Sequence, residues 1–284
     1  MDPVCTYVSG LHWALSTLTP LIPPLRVCAV SFLNTVPLVW GLLHGRQRDQ
    51  FDLSFCVPSE CADRLAAGTA DVGIVPAIEA ARLGLDPLPG CGIASRGAVR
   101  SILLVSKLPP GMIRTLATDS SSRTSVALAR IILARRYGVE PEFLSHSPDL
   151  DQMLARADAA LLIGDSALRI DPGALPHRTL DLGAEWWEMT GLPMVFAVWA
   201  ARPGYASPEL AEAFLDSLRF GMERLDQIIS SEAASRGFEE SLVREYFARN
   251  VVLEFGDGER KGLDRFLGYA REYGMLETSG ARSA

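Results

Sequence analysis

Asn34 lies in Ser31-Phe32-Leu33-Asn34-Thr35-Val36-Pro37-Leu38, where an apolar strand runs directly into a helix. A helix N-terminus leaves N–H groups unpaired and carries partial positive charge. A carboxylate can bind there, with the Asn34 amide and Thr35 beside it. Asn34 can equally serve only as the cap of its own helix. Asp119-Ser120-Ser121-Ser122-Arg123-Thr124-Ser125 repeats the arrangement at a second strand-to-helix turn. There Ser122, Thr124, Ser125 and the Arg123 guanidinium suit an anionic or polyhydroxyl ligand. The same residues can also make an over-determined cap with Arg123 in solvent.

Ser101 follows the turn Gly97-Ala98-Val99-Arg100 at a strand start, where it either faces a cleft or finishes the turn. Asp165, in Ile163-Gly164-Asp165-Ser166, is delivered to the end of a buried strand, where an unpaired carboxylate is costly. It can cap the next helix, meet a ligand or meet another lobe. Glu185 and Thr190 flank Trp186-Trp187, a pair that can wall a cleft for a flat ring or fill the core. Glu79, after Pro76, is a weaker candidate. The histidines, His12, His44, His146 and His177, pair with no second ligand at metal spacing, so neither a metal site nor another cofactor is expected. No P-loop, dinucleotide fingerprint, nucleophile elbow or Ser-His-Asp order is present.

Short apolar runs alternate with helical patterns, which predicts an α/β protein. Arg26–Phe32, Phe51–Val57, Asp71–Val75 and Ser101–Ser106 read as strands, with helices after Asn34, Pro58 and Pro76. A second series follows Pro109-Pro110-Gly111: strands at Thr115–Thr118, Glu142–His146 and Ala159–Ile163, then Met194–Ala200 carrying the chain back. Ser125, Leu128, Ala129, Ile132 and Leu133 recur at helical spacing. After Pro208 three amphipathic helices are expected, Glu209–Ser235, Glu239–Arg249 and Glu259–Tyr273, with no strong strand among them. The layout is a clamshell: residues 26–108 with 197–284 form one lobe, residues 109–196 the other, and a cleft lies between them.

With 284 residues and a net charge of −7, the chain suits two modest cores and not a nucleic-acid binder, which needs a basic field. A locally positive site for a small anion is still compatible with that charge. The five cysteines match no metal spacing and read as buried small residues in a reducing compartment. Residues 1–25 carry no Lys or Arg and read as a loosely ordered extension rather than a signal peptide. No run is apolar enough for a membrane span, and a cytoplasmic location is expected. Nothing specifies an oligomeric state.

Five stretches in series resemble chorismate dehydratase: SFLNTVPL (31–38), PSECADRLAAGTADVGIVPAIE (58–79), SSSRTSVALA (120–129), LIGDSALR (162–169) and DLGAEWWEMTGLPMVFAVWA (181–200). The resemblance spans Arg26 to Arg202. It implies the two-lobed periplasmic-binding-protein type II fold with C-terminal helices, and a dicarboxylate substrate, chorismate. It implies loss of the ring C3 proton and C4 hydroxyl to give 3-[(1-carboxyvinyl)oxy]benzoate, on the futalosine route to menaquinone, without a redox cofactor or metal. On this resemblance Asn34 and Ser101 match active-site residues, and Thr124 and Ser125 grip a carboxylate from the facing lobe. The matched motifs hold no evident base. Either the substrate's own enolpyruvyl carboxylate takes the proton, or Glu79, Asp165 or Glu185 does. A 1,4-dihydroxy-6-naphthoate synthase carries a first motif of the SPCPNDTF kind, so SFLNTVPL favours the dehydratase. A non-catalytic binding protein for a small organic anion is the remaining alternative.

Overall fold

The computed structural model describes residues 24–276. The extension up to residue 23, with Cys5 and His12, lies outside the described residues.

The first lobe is built on a six-stranded sheet. Its strands are β1 (Leu25–Val30), β2 (Phe51–Cys56), β3 (Val72–Pro76), β4 (Asp86–Ser95), β10 (Met194–Ala201) and β11 (Val252–Glu254), in the order β11-β4-β10-β3-β1-β2. Helices α1 (Val36–His44), α2 (Pro58–Ala66) and α3 (Ala77–Arg82) connect the first strands. β1 pairs in parallel with β2 and β3, as crossover helices require. Continuous apolar runs in β1 and β3 suit strands covered on both faces.

The second sheet holds β5 (Ile102–Ser106), β6 (Thr115–Asp119), β7 (Glu142–His146), β8 (Ala159–Ile163) and β9 (Arg178–Asp181), in the order β7-β6-β8-β5-β9. Helices α4 (Thr124–Tyr137), α5 (Leu150–Arg156), α6 (Gly164–Leu168) and α7 (Leu182–Thr190) pack on it. β5 therefore belongs to the second lobe, not to the first as residues 26–108 would have it. Its five residues pair antiparallel with β8 throughout.

The chain crosses between sheets at Arg96–Ser101 and returns at Gly191–Pro193. Helix α11 (Asp257–Glu272) clamps both crossings. The fully buried Glu259 accepts from Arg96 Nε at 2.8 Å. Gly262 packs so close to the return crossing that a Cβ there would lie 1.9 Å from the Pro193 carbonyl oxygen.

The helical tail differs from expectation in three places. The stretch expected as one helix from Glu209 is two, α8 (Pro208–Met222) and α9 (Leu225–Arg236). α10 (Glu240–Glu245) runs into a π turn, Tyr246–Asn250. A short strand, β11, also lies among them, because β4 offers it an open edge. Among the described residues no helix is long and apolar enough to cross a membrane.

Candidate active site

Asn34, Ser101 and Tyr246 form one hydrogen-bonded chain. The Asn34 Nδ2 donates to the Tyr246 hydroxyl at 3.2 Å, and that hydroxyl donates to Ser101 Oγ at 2.9 Å. Asn34 lies in a short 3-10 turn, Leu33–Thr35, between β1 and α1. No side chain caps that turn or α1, so Asn34 does not act as its own helix cap. Its amide reaches across to the tail helices instead.

Ser101 is positioned by the turn before it. Asp181 accepts from the Val99 N–H at 2.9 Å and the Arg100 N–H at 2.6 Å, and also caps α7 through the N–H groups of Gly183 and Ala184. Arg100 is held at φ 63°, an unfavourable conformation for a long side chain that recurs at functional sites. Its guanidinium offsets this by donating to the carbonyls of Ala167, Leu168 and Ile170. Tyr246 opens the π turn, an element enriched at functional sites. Burial pushes its phenol above the ordinary value, so it stays a neutral donor.

Asn34 and Ser101 line a cavity of about 60 Å³ between the lobes. Ser122, Arg123, Thr124 and Ser125, from the start of α4, line it as well. The rest of the wall is largely apolar, with Phe32, Ile93 and Phe196 among its residues. Gly164 completes it: its φ is 57°, and a Cβ would lie 2.6 Å from the Phe32 ring. Ser122 and Ser125 hydroxyls have no protein partner among the described residues, which leaves both for a ligand. The Thr124 hydroxyl accepts from the Ile78 N–H of the first lobe at 3.3 Å. Arg123 pairs across the cleft with Asp63 at 2.8 Å and Glu79 at 3.0 Å. Partial burial opposes its charge, but these two carboxylates outweigh it and hold the pKa above the ordinary value. Arg123 also lines a neighbouring groove with Arg82 and Arg130, where Glu79 neutralises part of the charge by pairing with both Arg82 and Arg123.

Three candidates lie off the wall. Thr35 is fully buried behind it, donating to Asn34 Oδ1 at 3.5 Å, so it supports Asn34 rather than a ligand. Asp165 joins the lobes, accepting from the Leu33 N–H at 3.0 Å and pairing with Arg236. Glu185 is bound to Tyr137 at 2.7 Å and to Arg136 at 3.1 Å, where α7 meets the end of α4. Neither carboxylate reaches the cavity, because each is drawn to a local donor. Trp186 is core, with its Nε1 donating to the Pro193 carbonyl, and Trp187 faces solvent. Tyr246, by contrast, had no local signal, being a single aromatic in an amphipathic stretch.

The family described as "Menaquinone biosynthesis" matches residues 25–272. A chorismate dehydratase from Thermus thermophilus is 30% identical over 255 residues, 83% of this chain and 91% of that protein. This chain belongs to the chorismate dehydratase family. Solved structures agree on the fold. An Archaeoglobus fulgidus protein superposes with a TM-score of 0.67 at 18% identity, covering 89% of this chain and 98% of its own. The periplasmic aliphatic sulphonate binding protein of Escherichia coli superposes with a TM-score of 0.61 at 13% identity, covering 89% and 88%. The fold of the family member described here is thus the two-lobed periplasmic-binding type.

Proposed function

We propose that the chain eliminates water from chorismate in the interlobe cavity, giving 3-[(1-carboxyvinyl)oxy]benzoate. It is a hydro-lyase acting on a small molecule. The observation that carries this reading is the convergence of Asn34, Ser101, Ser122, Thr124 and Ser125, from both lobes, on one small cavity. The α4 N-terminus, with Ser122 and Ser125, offers donors for one substrate carboxylate. Asn34 and Ser101 orient the other carboxylate or the departing hydroxyl.

Among the described residues no carboxylate side chain lines the cavity. Glu79 is held by Arg82 and by Arg123 of the wall, Asp165 by Arg236, and Glu185 by Tyr137 and Arg136. This supports the enolpyruvyl carboxylate of the substrate as the base. It takes the C3 proton, the C3–H electrons form the new ring double bond, and the C4 hydroxyl leaves. Aromatisation supplies the drive, and the protein supplies the pose and a dry, donor-lined wall. We place the reaction in the cytoplasm, where the free thiols of Cys28, Cys56, Cys61 and Cys91 stay reduced.

The test is incubation of purified protein with chorismate. Loss of one water by mass and a rise in benzenoid absorption support the lyase; tight binding of unchanged chorismate indicates a receptor. Asn34→Ala and Ser101→Ala are expected to impair turnover far more than folding.

A further inference from the structure

Three thiols that the dehydration does not use meet beside the cavity. Cys28 lies in β1, Cys56 ends β2, and Cys61 sits one turn into α2. Cys56 Sγ is 3.7 Å from Cys28 Sγ and 3.0 Å from Cys61 Sγ, and all three sulfurs lie within 4.8 Å of one another. All three are free and buried. Cysteines serving only as small apolar residues have no need to turn their sulfurs toward one point. Here three separate elements do so, and among the described residues no histidine or carboxylate joins the set.

Three sulfurs held about 2.3 Å from one ion in a plane lie about 4 Å apart. The Cys28–Cys56 pair is already close to that spacing, and the Cys56–Cys61 pair would open by about 1 Å to reach it. Zinc ordinarily takes four ligands, whereas an all-thiolate set selects a soft ion. We propose that Cys28, Cys56 and Cys61 form a three-coordinate site for Cu(I). Thiols lose their protons on binding such an ion. Arg64 of α2, whose Nη1 donates to Ser54 Oγ at 3.2 Å and which pairs with Glu60, lies beside the cluster.

The site is wired to the cleft. The Cys56 carbonyl accepts from the Ser31 N–H at 3.1 Å, at the head of the Asn34 segment. Pro58, on the cavity wall, and Asp63, the partner of Arg123, are both carried by α2.

The experiment is anaerobic titration of the full reduced chain with Cu(I) against bathocuproine disulfonate as competing chelator. One Cu(I) per chain is expected, with thiolate-to-copper charge-transfer absorption in the ultraviolet. X-ray absorption on the loaded wild type should show sulfur neighbours only. Cys61→Ser should weaken binding by more than roughly a hundredfold, the upper range for residues that merely support ligands. The Cys5→Ser/Cys91→Ser double variant should bind as the wild type does. No retention against the chelator overturns the proposal, as do nitrogen or oxygen neighbours or undiminished binding in a folded Cys61→Ser variant. Thiols that only oxidise to a Cys56–Cys61 disulfide, with copper never retained, overturn it equally.

Discussion

Replacing Tyr246 by Phe removes one oxygen and leaves a fully buried ring in place, packed 5.6 Å from Phe247. Packing is conserved, so the effect isolates the hydroxyl. That hydroxyl accepts from Asn34 Nδ2 and donates to Ser101 Oγ. Each lost bond costs about 1 kcal/mol net, or about 2 kcal/mol together, with more if the stranded amide stays dry. In a protein of this size that lowers Tm by roughly 3–4 °C. The catalytic consequence is larger in kind. Asn34 and Ser101 come from different lobes, and Tyr246 is the group that sets their separation. A misplacement of about 1 Å can cost about a hundredfold in rate. Chorismate turnover should therefore show kcat/KM falling by roughly 10- to 100-fold, with kcat carrying most of the loss. Thermal melts and steady-state kinetics on the same preparation provide the comparison. A variant that melts earlier yet turns over chorismate within twofold of wild type would refute a positioning role and leave Tyr246 as a core residue.

Glu79→Gln, Asp165→Asn and Glu185→Gln should each keep turnover within roughly tenfold of wild type, because none reaches the cavity; one variant that binds chorismate but no longer dehydrates it would identify a protein base. Gly262→Ala should destabilise by about 2–3 kcal/mol, since its Cβ meets the Pro193 carbonyl, and an unchanged melt would show the clamp to be loose. Burial opposes ionisation of Glu259, but Arg96 at 2.8 Å and the Gly256 N–H at 2.9 Å hold its carboxyl below the ordinary range. Its contribution is thus complete above the unfolded value of about 4.3 and is lost as pH falls through the lower folded value. Glu259→Gln should flatten the acid limb of a stability-against-pH curve, and superimposable limbs would contradict the ion pair as its source.

What was legible in the sequence is what local chemistry encodes. The handover from β1 to α1 and the Asp119–Ser125 turn were visible because polar residues stand against apolar runs within a few positions. The α4 face was visible by its spacing. β4 escaped because Pro87, Pro89, Gly90 and Gly92 interrupt it, yet its irregular register with β10 absorbs them. β9 has four residues, too few for a pattern. The lobe of β5 depends on pairing with β8, more than fifty residues away, which no periodicity reports. The same holds for the site. Asn34 and Ser101 could be singled out, whereas Tyr246 acquires its role only through partners 212 and 145 residues distant. Asp165 and Glu185 looked available because a sequence displays a carboxylate without the arginine that claims it.

Among the described residues no carboxylate lies on the cavity wall, and the proposed mechanism accounts for how a fold shared with a sulphonate receptor can host an elimination without one. A receptor needs donors for an anion, an apolar wall and lobes that close. An elimination normally demands a base as well, held at the right pKa in a place where burial would disturb it. In the proposed mechanism the base travels on the substrate, so that demand disappears and the receptor's inventory is sufficient. The remaining requirement is closure, which excludes water and strengthens each hydrogen bond to the developing charge. This chain bridges its lobes from two sides, with Arg123 reaching Asp63 and Glu79, and Asp165 reaching Leu33 and Arg236. Arg123 is the one of these bridging groups that also touches the cavity. An arriving carboxylate can compete there with Asp63 for the guanidinium, which couples substrate entry to the state of the cleft.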